Sequence, residues 1–202
     1  NSELAVVLRD HVLDALTLVP IMRDWQALPN SKRTGPGRLL DIGSGAGFPG
    51  IILAIYFQDL HVMLVESIAK KAAFLQSVTT SLNLSERVTV ANERAEFLAH
   101  NSALRLKFDF VTARAVGSLC LVAELGLPFL RQQGLLLAQR SSRQLLEELP
   151  EANGVVARFG GEVADCVYPD ARVVEKQVGI LVVERTGKVS SAYPRQGAKL
   201  GT

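Results

Sequence analysis

The chain has 202 residues, 48% of them hydrophobic and only 6% aromatic, with a formal net charge of +2. That length suits a single domain, and the composition suits an aliphatic core of the kind a helix-covered parallel sheet needs. Two cysteines cannot make a disulfide framework, and no apolar run reaches the ~18 residues of a membrane span, so a disulfide-stapled secreted module and a membrane-spanning helix are both excluded.

In chain order, residues 3–19 place Leu4, Val7, Leu8, Val12, Leu16 and Val19 at helical spacing. The charged residues Glu3, Arg9, Asp10 and Asp14 do not read as a signal peptide, which favours the cytoplasm. The first residue is Asn, and the expectation is a truncated N-terminal helical segment over 1–28. "LPNSKRTGPG" (28–37) is a loop by composition. Strands and helices then alternate: strands at 38–42, 61–66, 87–92, 108–113 and 134–139, and helices at 48–57, 68–82, 94–100, 118–131 and 142–149. "VVARFGGEVADCVY" and "QVGILVVERT" follow without a long helix between them and read as an antiparallel pair. The expected fold is α/β: a mostly parallel, doubly wound sheet ending in an antiparallel C-terminal strand pair. The catalytic core spans 38–185 and a basic tail spans 186–202. Lys32, Arg33 and Arg38 form one basic group. Arg172, Lys176, Arg185, Lys188, Arg195 and Lys199 form another; either is a solvated surface or a face for an anionic partner.

"LLDIGSGAGFPGIIL" (39–53) is a strand, a tight turn and a helix start. Gly43, Gly45 and Gly47 permit backbone angles and close ligand approach that a Cβ would block. A Gly-x-Gly-x-Gly turn alone is also found in dinucleotide sites. Two acids narrow the choice. Asp41, before the turn, suits a cationic ligand better than a pyrophosphate. Glu66, ending the second strand, can accept two hydrogen bonds from a ribose diol. Acid, turn and acid together point to S-adenosylmethionine and a methyltransferase. A nicotinamide-dependent oxidoreductase and a non-catalytic nucleotide-binding fold stay open.

After the fourth strand the chain reads "TARAV", without the Asn/Asp-Pro-Pro-aromatic motif usual in exocyclic-amine methyltransferases. Cys120 and Cys166 lack a preceding proline and read as structural thiols, not as cytosine-C5 nucleophiles. Guanine N7 brings its own lone pair and loses no proton, so it needs neither device and would rely on proximity.

"RDHVLDALTLVP", "LLDIGSGAGFPGIILAI", "VESIAKKAAFLQSV", "ERAEFL", "FDFVTARAVGSL" and "AYPRQG" together resemble the bacterial 16S rRNA guanine-N7 methyltransferase G family, also called glucose-inhibited division protein B. The resemblance implies a Rossmann-like class I S-adenosylmethionine-dependent enzyme acting on guanine N7 in 16S rRNA or the small ribosomal subunit. It implies cofactor contacts at Gly43, Phe48, Glu66, Ser67, Ala95, Glu96 and Arg114; Gly45 and Gly47 join them on the steric ground above. Alternatives are a methyltransferase for a small molecule or protein, or a non-catalytic RNA- or nucleotide-binding regulator. No metal site is expected, and the oligomeric state is open.

The chain departs from the family's Leu-Lys-Gly after the fifth strand. There "LAQRSS" puts Gln139 at the lysine and Arg140 at the glycine, with Arg140 a candidate to supply the charge. A guanidinium repels a sulfonium, so Arg114 is expected to reach a cofactor carboxylate, guanine O6 or a phosphate. The competing reading is a salt bridge with Asp41 or Glu66. His11 and Asp14 share a helix face, as an anchoring pair sooner than as metal ligands. Lys70 and Lys71, opening a helix against its dipole, read as phosphate contacts or solvated lysines. Tyr193 and Arg195 read either as a base-stacking and phosphate pair or as a disordered tail.

Overall fold

A computed structural model of the chain describes residues 3–27, 37–170 and 177–197. Lys32, Arg33, Arg172, Lys176 and Lys199 of the two basic groups lie outside the described residues. The aliphatic runs become strands β1 (Arg38–Ile42), β2 (His61–Val65), β3 (Val88–Ala91), β4 (Phe108–Arg114), β5 (Leu130–Ser141), β6 (Gly161–Val167) and β7 (Val178–Arg185). They form one sheet in the order β3-β2-β1-β4-β5-β7-β6. The first five are parallel, and β7 runs antiparallel to both β5 and β6. The chain moves outward from β1 to β3 and then returns to β4. The switch point therefore lies at the carboxyl ends of β1 and β4, where open α/β sheets bind ligands.

The helices are α1 (Glu3–Val7), α2 (Asp14–Leu16), α3 (Leu18–Ala27), α4 (Gly50–Tyr56), α5 (Ala69–Ser81), α6 (Ala95–Leu98), α7 (Leu119–Gly126) and α8 (Ser142–Val156). They cover both faces of the sheet, because a strand's side chains alternate in direction. Leu39, Phe110, Leu137 and Val182 pack with Leu18, Met22, Trp25 and Leu53 on one face. Leu40, Val111, Leu136 and Val183 pack with Val122, Ala123, Leu145 and Val156 on the other. No helix among the described residues is long and apolar enough to cross a membrane.

Three elements differ from the sequence reading. The N-terminal helical segment, which reaches Ala27 as expected, is interrupted by a π-helical turn at Leu8–Leu13. The helix expected over 118–131 ends at Gly126, and β5 begins at Leu130, before its aliphatic run, with a register irregularity against β4. The α8 helix runs through Pro150 to Val156, and the strand expected from Val155 starts only at Gly161. An interior proline costs a helix about 3 kcal/mol. Burial of Leu145, Ala152 and Val156 on one face of α8, with a Ser141–Gln144 capping box at its start, offsets that cost.

Candidate active site: two cavities at the carboxyl edge of the sheet

The glycine turn is fastened from three sides. Gly43 and Ser44 both donate their N–H to the Val65 carbonyl, at 2.9 and 3.1 Å. Glu66 accepts from Gly45 N at Oε2 (3.0 Å) and from Ile68 N at Oε1 (2.8 Å). Asp41 is 1% exposed; it accepts from Thr112 Oγ1 at 2.7 Å and from Gly50 N at 3.3 Å. Burial pushes its carboxyl up to about 6, against those hydrogen bonds. Asp41 therefore does not meet a cationic ligand, as the sequence suggested. It ties β1 to β4 and to the start of α4.

Beyond this turn lies a cavity of about 340 Å³ lined by Gly43, Val65, Ser67, Ala95, Glu96 and Val116, among others. Gly43 has φ +67°, and a Cβ there would come within 2.7 Å of Val116 Cγ2. Its absence leaves the backbone in contact with the cavity. Glu96 is buried and accepts from Arg94 Nε. Of the residues expected at a cofactor, Gly43, Ser67, Ala95 and Glu96 line this cavity. Gly45 and Glu66 brace the turn behind it. Gly47 has φ +97°, and a Cβ there would strike Ile51 Cδ1 at 2.4 Å, so its steric demand comes from α4.

Arg114 lines a second cleft of about 370 Å³, with Asp14, Gln139, Arg140 and Gln144. Its Nη1 donates to Asp14 Oδ2 at 2.9 Å, and its Nη2 lies 3.0 Å from His11 Nδ1. Arginine only donates, so Nδ1 is the accepting atom of this contact. The guanidinium also sits 5.6 Å above the Phe48 ring, which packs on His11 at 5.2 Å. The competing reading, a bridge from Arg114 to Asp41 or Glu66, is replaced by a bridge to Asp14. His11 and Asp14 do anchor the N-terminal helical segment, through Arg114, and the π-helical turn carries His11. Among the described residues no cluster of metal-ligating side chains occurs.

The two cavities are separated by residues 115–117. Ala115 and Gly117 take left-handed backbone angles (φ +56° and +39°). Arg140 Nη2 donates to the carbonyls of Val116 and Gly117, both at 2.9 Å, and Nη1 donates to Gln139 O at 3.0 Å. Both Nη atoms of Arg140 are so engaged, Nη2 on this partition, while its Nε faces Glu148 Oε2 at 3.8 Å without a hydrogen bond. Burial lowers its pKa from the ordinary value, and Glu148 opposes that.

Within the tail, the Tyr-Pro-Arg element is turned inward. Tyr193 packs edge-on against Phe159 at 4.8 Å. Arg195 forks onto both carboxylate oxygens of Glu124, at 2.9 and 2.7 Å, and Glu124 is fully buried. Neither an RNA-stacking pair nor a disordered tail describes it; the pair closes the fold and brings Gly197 to the first cavity. Lys70 and Lys71 are exposed at the start of α5. Cys120 is buried and Cys166 half-buried, both as free thiols, and burial pushes both pKa values up, away from reactivity.

Residues 1–166 match the model of a family described as rRNA small subunit methyltransferase G. A relative of that name from Roseiflexus castenholzii is 43% identical over 160 residues, which cover 79% of this chain and 67% of the relative. Another, from Chloroflexus aggregans, is 39% identical over 191 residues, 95% of this chain and 75% of the relative. The chain belongs to the rRNA small subunit methyltransferase G family. It is an S-adenosylmethionine-dependent methyltransferase. The fold is likewise similar to that of the geranyl diphosphate C-methyltransferase of Streptomyces coelicolor, solved with S-adenosyl-L-homocysteine. The TM-score is 0.58 at 13% identity, over 82% of this chain and 76% of that one.

Gly43, Ser67, Ala95 and Glu96, expected at a cofactor, share the first cavity, whereas the sequence reading marks Gln139 only as a departure from the family's lysine and leaves Gln144 unread. The one available signal was polarity: Gln139 and Arg140 interrupt an aliphatic strand. Asp14, recognised as part of a helix anchor, turns out to be a cleft wall.

Proposed function

We propose that the enzyme transfers a methyl group from S-adenosylmethionine to N7 of a guanine in 16S rRNA of the small ribosomal subunit, in the cytoplasm. The observation that carries the reading, beside family membership, is the pair of cavities on either side of residues 115–117. Both cavities take lining residues from this short segment at the switch point, so a donor in one and an acceptor in the other would come together at its edge.

The first cavity suits the cofactor. A Cβ at Gly43 would intrude, Val65 and Val116 offer apolar wall, and buried carboxylates stand just after β2 (Glu66) and at the start of α6 (Glu96). In this reading Gly43, Gly45, Gly47 and Phe48 shape the turn, Glu66 and Ser67 hold the ribose side, and Ala95 and Glu96 face the adenine. A carboxylate has about four lone-pair sites, so Glu66 can serve two amides and a diol at once.

Bound S-adenosylmethionine supplies an electrophilic methyl on a sulfonium. The guanine N7 lone pair forms the new N–C bond, and the C–S bond breaks with its electron pair going to sulfur. No proton is lost, so the chain's work is to align the two reactants and exclude water. Arg114, held by His11, Asp14 and Phe48, is placed to position the base. The exposed Lys70 and Lys71 suit RNA phosphate.

The test is methyl transfer from labelled cofactor to naked 16S rRNA and to small subunits from cells lacking the gene. Label at a guanine, with the strand lability of N7-methylguanine after mild reduction, supports the reading. Label on an exocyclic amine, on a protein or on a small molecule overturns it, and so does cofactor binding without transfer.

A further inference from the structure

The second cleft contains a buried acceptor that nothing in the fold satisfies. Gln139 is 2% exposed. Its Nε2 donates to Asp14 O at 2.9 Å, with Asp14 Oδ1 at 3.2 Å and Thr17 Oγ1 at 3.3 Å. The Asp14 carbonyl and carboxylate can only accept, so the amide cannot be turned round. Its Oε1 is buried and has no hydrogen-bond partner, although the residue lines the cleft. A buried amide oxygen left unpaired costs stability, and a ligand donor is a reason to keep it.

Gln139 sits beside Arg114. The two are direct register partners on β4 and β5, and they share one clamp. Asp14 takes Arg114 on Oδ2 and Gln139 on Oδ1. Arg114 therefore offers the cleft a fixed donor, with the fixed acceptor Gln139 Oε1 buried beside it. Guanine carries the complement on adjacent ring positions: O6 accepts and N1–H donates. Adenine carries the reverse, an amine donor beside an N1 acceptor, and would set donor against donor and acceptor against acceptor.

We propose that Gln139 and Arg114 read the target base as guanine, with Gln139 Oε1 accepting from N1–H and Arg114 donating to O6. This rests on the guanine-N7 reading above and adds the residue that selects the base. Methylation of N7 leaves the ring cationic and N1–H a stronger donor. The bond to Oε1 strengthens as the methyl arrives, so its loss lowers kcat as well as raising KM.

The experiment uses the full chain and 16S rRNA assembled by splint ligation, with the target position carrying guanine, inosine or 1-methylguanine. Inosine keeps O6 and N1–H; 1-methylguanine removes N1–H. The expected result for the unmodified protein is transfer to guanine and inosine, and a fall of about 10- to 100-fold in kcat/KM with 1-methylguanine. Gln139→Met should lower kcat/KM on guanine by a similar factor, leave the cofactor Kd unchanged, and shrink the 1-methylguanine penalty. Thr17→Val takes away one anchor of the amide and keeps Oε1, so it should stay near the unmodified activity. The proposal is overturned by equal transfer to guanine and 1-methylguanine. It is also overturned by full activity in Gln139→Met, or by equal defects in Gln139→Met and Thr17→Val, which would mark an anchor only. The modified-base arm needs no variant, so a Gln139→Met chain that fails to fold leaves a decision intact. Absence of transfer to guanine itself would instead bring down the function reading.

Discussion

The two cavities are neighbours across three residues, yet they are built from different material. The turn that bounds the cofactor-side cavity is largely backbone work. A left-handed glycine, two amides on Glu66 and two on the Val65 carbonyl come from a continuous stretch, residues 41–68. The second cleft is side-chain work drawn from Asp14, Arg114 and Gln139, each more than twenty residues from the next. The first design suits a ligand that never changes. The second can be retuned by single substitutions, which suits the side of a methyltransferase that sets the acceptor. The difference also explains what could be read from the chain, and it can be tested at graded strength.

The largest expected effect challenges the idea that the first cavity is local. Its wall includes Gly197, from a tail held by the Arg195 fork on the buried Glu124. Taking the guanidinium away from a buried carboxylate costs about 3–5 kcal/mol. Arg195→Met should lower unfolding free energy by that order and weaken cofactor binding with it. Urea unfolding and calorimetric titration check both. Lost stability with unchanged cofactor affinity would show that the cavity needs only its local turn.

The next concerns the tie between the two central strands. Asp41 fastens β1 to β4, and its carboxyl is raised from 3.8 to about 6 in the fold. The folded chain then holds that proton more tightly than the unfolded chain. Its stabilising contribution is complete below about pH 4 and is lost as pH rises to about 6, by about 2–3 kcal/mol. Asp41→Asn removes the titration. The difference in stability between variant and parent should therefore shift in the variant's favour between pH 4 and pH 7. A pH-independent difference would mean that Asp41 keeps an ordinary carboxyl and faces water.

These contrasts track what was legible. The runs at 38–42 and 61–66 became β1 and β2 nearly residue for residue, because strands buried on both faces leave an unbroken aliphatic signature. The antiparallel end was also readable, since no helix separates its strands. The start of β5 was not. Arg131, Gln132 and Gln133 look like loop, and Leu130 joins the sheet through tertiary pairing with Phe108. Nor was the run of α8 through Pro150, where packing overrides a local breaker. At the site, the glycine turn was visible because its chemistry is contiguous. The Asp14–Arg114–Gln139 constellation was not, because pairing positions 14, 114 and 139 requires the fold. Asp41 misled for the same reason: its type suggested a ligand, while its partners, Thr112 and Gly50, are structural.

A smaller effect separates bracing from binding on the cofactor side. Glu66→Ala should weaken S-adenosylmethionine binding by about 1–3 kcal/mol, as for a hydrogen bond to a charged group. It should also cost some stability, because Gly45 N and Ile68 N lose their acceptor. Glu66→Gln keeps one carbonyl oxygen and should fall between. If alanine costs stability alone, with calorimetric affinity intact, Glu66 only braces the turn and the ribose is held elsewhere.

The smallest expected effect is none at all, and it bears on both cavities together. If one side holds the cofactor and the other orients a base that loses no proton, neither needs a group that titrates during catalysis. The carboxylates present are occupied as acceptors: Asp14 by Arg114 and Gln139, Glu66 by two amides, Glu96 by Arg94. Asp41, raised to about 6, is buried away from both cavities. Gln139 has no ionisable proton. The methyl-transfer rate on enzyme saturated with cofactor and rRNA should therefore be flat from about pH 6 to 8 in a single-turnover measurement. A tenfold rise per pH unit would mean that a group must lose a proton before transfer. That would favour an amine or hydroxyl acceptor over guanine N7. Repeating the profile with Asp14→Asn, alongside its effect on Arg114, would then tell whether the carboxylate of the second cleft is the base. A flat profile in the parent leaves the division intact, with one cavity holding the cofactor and the other reading and aligning the base.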